Sequence, residues 1–381
     1  METASKQLTN FLRNLVNVLD YWFYEAIHSF RVQNPLPEVK RILVVERLSV
    51  GDMVSVTPVL RALHERFPKA KIDILVNPHI KDLIETLPYL NKVYNYSDKE
   101  LKINYPQIVQ EYKKNNYDLG VIIRHGTYQI SKLLKDSKVK FRIGSAKAGL
   151  LVGRGFFLHK KSKAYLKTRH VVDLNLDVIR TLGINPKNPK TELIVQDEVK
   201  NQVAKKLNLN KKDFVIGIHP GSKGICSMKY PSHLWPIERY AYVADELSKK
   251  YKAKIVFSGA KNELPLIKKI ESLMKTKPII AADLNMKEFI ALIDRMDLLF
   301  SNDTAAAHIA AALDTPLVII FGPQTPKLWK PWGDKVVALY KNNKCTACQR
   351  YECKLKTVEC LKAISTTEVL NAINQAMEWV R

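Results

Sequence analysis

From Arg41 onward, short apolar runs alternate with amphipathic stretches. RILVVE (41–46), KIDILV (71–76), KVYNY (92–96), DLGVIIR (118–124) and VKFRIG (139–144) are rich in β-branched and aromatic residues and read as strands. Between them lie helical patterns such as VTPVLRALHERF, whose apolar face falls at Val56, Leu60 and Leu63. The pattern pauses at LGINPKNPKTEL (182–193), a proline- and lysine-bearing stretch that reads as an interdomain linker, and then starts again. DFVIGIHPG (213–221), KIVFSGA (254–260), PIIAA (278–282), DLLFSND (297–303) and PLVIIFGP (316–323) are the second set of strands. Apolar strands separated by helices predict parallel sheets covered on both faces. The predicted fold class is therefore α/β, with two Rossmann-like βαβ domains over residues 39–185 and 186–344. In such sheets ligands sit beyond the carboxyl ends of the strands, and between the domains when there are two.

The two ends of the chain read differently. Leu8, Phe11, Leu12, Leu15, Leu19, Trp22, Phe23, Ile27 and Phe30 recur at three- and four-residue spacing, a helical stripe within residues 1–38 that Pro35 and Pro37 terminate. Such a stripe either packs on the protein's own body or lies in a membrane interface with its aromatic residues among the headgroups. At the other end, over 345–381, STTEVLNAINQAMEWVR is a helix with Ser365 as N-cap and Glu368 three residues on, a capping box.

Charge narrows the partners. Among 381 residues, 61 Lys and Arg stand against 37 Asp and Glu, a net charge of +24. That excess suits nucleic acid, an acidic membrane surface or phosphorylated substrates, or it is a solvated lysine-rich surface. Nucleic acid is disfavoured, since neither an aromatic-interleaved basic surface nor a reading helix is visible. A dehydrogenase is disfavoured too, because no G-x-G-x-x-G follows either first strand. No stretch reaches the ~20 apolar residues of a membrane span. Arg13, Asp20 and Glu25 break the first apolar stretch, so no signal peptide is expected and the cytoplasm is the expected compartment.

Polar residues gather at strand ends. Asp52 follows the first strand in a small-residue turn with Ser49 and Gly51; HPGS (219–222) and Lys229 follow the first strand of the second half. SGAKNE (258–263) and NDTAAAHIAAAL (302–313) follow later strands. Asp303 and Thr304 stand where a strand turns into an alanine-rich helix, whose free N–H groups and positive end form a ready anion site, suited to a diphosphate. Simple N-capping by either residue is the alternative, and His308, one turn along, reads equally well as a packed helix histidine.

Taken together, "GD" after the first strand, RALHERFPKAKIDILV, HPGS…K, SGAKNE and NDTAAAHIAAALDTPLVIIFGPQTP resemble glycosyltransferase family 9, the heptosyltransferases of the lipopolysaccharide inner core. The resemblance runs in order from about Arg41 to Pro326. It implies a GT-B fold, an inverting mechanism, a nucleotide-activated donor such as ADP-heptose, an anionic glycolipid acceptor at the inner face of the cytoplasmic membrane, and no catalytic metal or cofactor. Asp52 then matches the family's catalytic aspartate, a general base for the acceptor hydroxyl, with Ser49 and Gly51 keeping the turn narrow for a bulky acceptor. On the donor side, Lys229 matches the phosphate-binding lysine, the amides at Asp303 to Ala305 assist it, and Asp303 holds sugar hydroxyls. Glu263 matches a ribose-binding acid, Ser222 lies along the phosphates, and Thr304 and His308 complete the "DT…H" motif. Two departures stand out. Ala305 replaces the glycine that often follows "DT", and the five residues between Lys229 and WP (235–236) leave Lys223 as an alternative phosphate lysine.

CTACQRYECKLKTVEC carries Cys345, Cys348, Cys353 and Cys360. Four thiols at this spacing suit a structural zinc in a reducing compartment; two disulfides or buried free thiols are the alternatives.

Overall fold

The computed structural model describes residues 38–124, 128–145, 157–162, 169–221, 228, 231–341 and 348–380. The predicted N-terminal helix over residues 1–37 lies outside the described residues. The chain divides into two compact units, Met1–Pro189 and Lys190–Arg381, and the division falls inside the 182–193 segment.

In the first unit β1 (Arg41–Val45), β2 (Lys71–Val76), β3 (Leu90–Asn95), β4 (Leu119–Ile122), β5 (Phe141–Gly144) and β6 (Lys160–Lys161) form one sheet in the order β3-β2-β1-β4-β5-β6. Every pairing is parallel, with Val45 opposite Leu75 on one side and Ile122 on the other. Ile42 to Val45 are all buried, as a central parallel strand requires when helices cover both faces. Val56, Leu60 and Leu63 are fully buried beneath the helix Thr57–Arg66, so the predicted apolar face is the packed one.

The second unit repeats the plan. β7 (Val215–His219), β8 (Lys254–Ser258), β9 (Ile279–Ala281), β10 (Leu298–Asn302), β11 (Leu317–Phe321) and β12 (Val336–Tyr340) are ordered β12-β11-β10-β7-β8-β9, again all parallel. Counted from its first strand, each sheet has the doubly wound order 3-2-1-4-5-6. Its topological switch point lies between β1 and β4 in the first unit and between β7 and β10 in the second. Two strands go beyond the sequence reading: two-residue β6, and β12, which follows the short helix Pro326–Trp329 and a loop.

The C-terminal helix Thr366–Ala376 belongs to the second unit's core, where Val369 and Ile373 are fully buried. Burying each such side chain contributes about 1.5–3 kcal/mol. Its predicted capping box forms: the Glu368 N–H donates to Ser365 Oγ at 3.2 Å and the Ser365 N–H to Glu368 Oε2 at 2.9 Å. Trp235 anchors this core, edge-on to Tyr240 and Phe300, with Nε1 donating to Ile364 O at 2.9 Å.

Candidate active site

Each unit places polar side chains at its switch point, beyond the carboxyl ends of the strands. In the first unit the segment read as a narrow turn is a helical turn, Val50–Val54, with Ser49 as N-cap, Gly51 inside the helix and Asp52 in its first turn. Asp52 Oδ2 accepts the Ser49 hydroxyl at 2.7 Å and the Ser49 N–H at 3.3 Å. Asp52 Oδ1 is ion-paired with Arg124, which stands just past β4 on the strand next to β1. The Arg124 side chain is 2% exposed and that of Asp52 16%, so the pair is largely out of water. Burial would raise the Asp52 carboxyl, but the Arg124 guanidinium and the Ser49 groups outweigh it, and the net shift is downward. Asp52 is thus held ionised and fixed at both oxygens.

A third charge joins this pair. Glu46, the residue after β1, is 1% exposed, and its N–H extends the sheet by donating to Leu75 O at 3.1 Å. Its Oε1 accepts the Leu48 N–H at 3.1 Å, while its buried Oε2 has no hydrogen-bond partner among the described residues. Burial pushes this carboxyl up to about 7, with Arg124 opposing and Asp52 reinforcing the rise.

Beside this edge lies a cavity of about 500 Å³, lined by Arg47, Leu101, Lys102, Tyr105, Ile130 and Leu133 among others. Arg47 anchors its wall by donating to Tyr96 O at 2.6 Å and pairing with Asp98 at 2.7 Å. The cavity combines apolar side chains with Lys102 and the Arg47–Asp98 ion pair.

In the second unit Asn302, the last residue of β10, is 1% exposed and knots three segments together. Its Nδ2 donates to Pro220 O at 2.8 Å and His233 O at 2.7 Å, and its Oδ1 accepts the Tyr240 hydroxyl. The loop after β7 is thereby tied to the end of β10. His219 is buried there, 3.1 Å from Ser258 Oγ, and burial lowers it to about 4, so it is neutral near pH 7. Glu263 Oε2 accepts the Ala260 N–H at 2.8 Å. A Cβ at Gly221 would lie 2.4 Å from the Glu263 carboxylate oxygens, so a larger residue there would displace the acid.

Thr304 is the backbone N-cap of the helix Ala305–Ala312 but makes no side-chain cap; its hydroxyl is 3.1 Å from Ser301 Oγ. The capping alternative for Thr304 therefore does not account for it. Burial pushes the Asp303 carboxyl up to about 7. Ala305 is the first helical residue, and His308 is buried one turn along. Ser222, Lys223 and Lys229 lie outside the described residues.

Cys348 is exposed, and Cys353 and Cys360 are buried. Burial raises the Cys353 thiol, but backbone N–H groups of residues 355–358 point at its sulfur, and the net shift is downward. Among the described residues no three His, Cys, Asp or Glu side chains are grouped to hold a metal ion; Cys345 lies outside them.

The sequence profile of glycosyltransferase family 9 (heptosyltransferase) matches residues 106–359, well over half of the chain. The chain belongs to this family. It is 28% identical over 306 residues to lipopolysaccharide heptosyltransferase 3 of Escherichia coli K12, a match covering 77% of this chain and 86% of that protein. Among solved structures, a family 9 glycosyl transferase from Veillonella parvula superposes with a TM-score of 0.76 at 23% identity, covering 90% of this chain and 98% of that one. The E. coli ADP-heptose lipopolysaccharide heptosyltransferase II superposes at 0.73 with 20% identity, over 89% and 98%. The fold is GT-B, and the protein is a glycosyltransferase of the heptosyltransferase family, as the motifs led us to expect. Among the described residues no helix is long and apolar enough to cross a membrane.

Three residues of this family 9 transferase escaped the sequence reading. Glu46 and Arg124 end the apolar runs RILVVE and DLGVIIR as isolated charges, which was the available signal; Asn302 is the polar end of DLLFSND.

Proposed function

We propose that this glycosyltransferase moves a heptose from ADP-heptose to a phosphorylated, lipid-linked acceptor of the lipopolysaccharide inner core, with inversion at the anomeric carbon. The observation that carries this reading is the Asp52 carboxylate, fixed through Ser49 and Arg124 at the switch point of the first sheet. Asp52 takes the proton of an acceptor hydroxyl as that oxygen bonds to the anomeric carbon. The bond from that carbon to the diphosphate breaks, and its electron pair leaves with ADP. Negative charge grows on the leaving phosphate, where the amides opening the helix Ala305–Ala312 are suited to meet it, together with Lys229. Asp303 and Glu263 take sugar and ribose hydroxyls. The cavity of the first unit, with Lys102 among apolar side chains, suits an acceptor that is both anionic and lipid-linked. A net charge of +24 favours an anionic membrane surface, which the N-terminal stripe would strengthen.

Donor screening tests this reading. Purified full-length protein, given ADP-heptose or other nucleotide sugars with a de-acylated inner-core oligosaccharide, is expected to release ADP from ADP-heptose fastest. NMR of the product is expected to show the inverted anomer. Turnover confined to another donor, or retained configuration, would overturn it.

A further inference from the structure

We propose that Asn175 and Ser55 are positioning residues for the transfer reaction: together they clamp the helical turn that carries Asp52, and so fix where its carboxylate meets the acceptor hydroxyl. This rests on the reading of Asp52 as the base. The turn Val50–Val54 is five residues long. A helix that short has too few internal hydrogen bonds to hold itself, so its place is set by what it touches. At the side chain, Asp52 is held by Ser49 and Arg124. Its backbone is held from the far end of the turn. Ser55, the C-cap, donates its hydroxyl to Asp52 O at 2.6 Å and its N–H to Gly51 O at 3.2 Å. Asn175 in turn clamps Ser55: Nδ2 donates to Ser55 Oγ at 2.9 Å and to Ser55 O at 3.0 Å. A chain of hydrogen bonds therefore runs from the Asn175 amide through Ser55 to the main chain of Asp52.

Asn175 lies 120 residues further along the chain, on the helix Val171–Arg180. Val171, Val172, Val178 and Ile179, three and four residues to either side of it, form a buried face of that helix, and Asn175 is fully buried among them. The helix packs on the Thr57–Arg66 helix and on β4 and β5, and leucine at this position would serve that packing as well. The amide is a costly way to fill the space. Its Oδ1 is buried without a hydrogen-bond partner among the described residues, a desolvation that an apolar side chain would not incur. What the amide adds is its two Nδ2 bonds, and both go to the residue that caps the Asp52 turn. A general base works only while its oxygen is held within about 0.5 Å of the productive position, and that precision comes from packed side chains with supporting hydrogen bonds. Misplacement by about 1 Å costs a rate on the order of 10²-fold.

The test is a double-mutant cycle on kcat. Asn175→Leu, Asp52→Asn and the double variant are assayed with ADP-heptose and a de-acylated inner-core oligosaccharide, the slower variants at high enzyme concentration. Asn175→Leu keeps the volume and removes the clamp. Its kcat should fall about 10- to 100-fold while KM for ADP-heptose is unchanged. In the Asp52→Asn background the same substitution should alter kcat less than about twofold, because no carboxylate remains to be positioned. Ser55→Ala, which deletes the hydroxyl but leaves the Asn175 bond to the residue 55 carbonyl, should follow the same pattern with a fall of about three- to tenfold. An equal fall in both backgrounds would mean that Asn175 supports the fold at large, and an unaltered kcat in Asn175→Leu would mean that the turn holds without it. Either result overturns the proposal and leaves the base standing. Full turnover in Asp52→Asn would instead remove the base, and this proposal with it. Should thermal melting show that Asn175→Leu does not fold, the cycle with Ser55→Ala decides alone: a fall of equal size in both backgrounds, or none, overturns the proposal.

Discussion

Replacing Arg124 with methionine removes the buried cation paired with Asp52 and keeps most of the side-chain volume. Breaking a buried pair by deleting one partner typically costs about 3–5 kcal/mol, because the other charge is left unpaired. Asp52 retains its Ser49 hydrogen bonds and is 16% exposed, which places the expected loss near the lower end, about 3 kcal/mol at pH 8. The pH dependence is the sharper part. In the parent the folded-state pKa of Asp52 is lowered, so the stability it contributes is present above the unfolded carboxylate pKa and is lost as pH falls through the folded value. Glu46 has the opposite sign: its pKa is raised to about 7, so its contribution is present at low pH and lost as pH rises through 7. Without Arg124 both carboxyls are raised, and both become neutral on mild acidification. The deficit of Arg124→Met should therefore narrow to about 1–2 kcal/mol at pH 5, a change of some one unit or more in the ionisation of Asp52. Urea unfolding of parent and variant at pH 8 and pH 5 measures this. A deficit of equal size at both values would mean that Arg124 contributes by packing and not by charge.

Other expectations follow from the same geometry. Asn302→Leu deletes three hydrogen bonds and strands two buried carbonyls, so it should cost about 2–4 kcal/mol in urea unfolding, against about 1 for Tyr240→Phe. Equal losses would show that the Tyr240 contact carries the knot. Asp303, with its pKa near 7, is neutral at pH 6 and ionised at pH 8, where it repels a diphosphate. Calorimetric affinity for ADP-heptose should accordingly weaken about threefold over that interval and become flat in Asp303→Asn; parallel slopes would remove Asp303 from the donor's surroundings. Deleting residues 1–34 should reduce sedimentation with anionic vesicles at low salt while sparing transfer to a de-acylated acceptor. Unfolding of the truncated chain would mean that the stripe is core packing.

Much of this molecule was legible before its structure. Ten apolar runs stood out because strands of a parallel sheet are buried on both faces and carry little polar sequence, as Ile42 to Val45 illustrate. Asp52 and Asp303 were visible because polar residues that follow such runs mark strand ends. Adjacency was not visible. Asp52 and Arg124 are 72 residues apart and meet only because β4 returns to the side of β1, a consequence of crossover topology that no local pattern records. Asn302 reaches Pro220 and His233 for the same reason, across β7 and β10. The segment at Ser49 was read as a narrow turn ahead of a helix because Ser and Gly suit both turns and helix starts; the reach of Asp52 back to the Ser49 N–H places it in the helix. β12 was missed because its run VVALY, half-buried at the sheet edge, is flanked by lysines and follows only a single helical turn, Pro326–Trp329, and a loop.

The central claim is that Asp52 is the base in heptose transfer, and Asp52→Asn tests it most directly. The amide preserves the size of the side chain but cannot take a proton at pH 7. With ADP-heptose and a de-acylated inner-core oligosaccharide, kcat should fall about 10²–10⁴-fold, while calorimetric affinity for ADP-heptose stays within about twofold of the parent. Turnover within a few-fold of the parent would contradict the account.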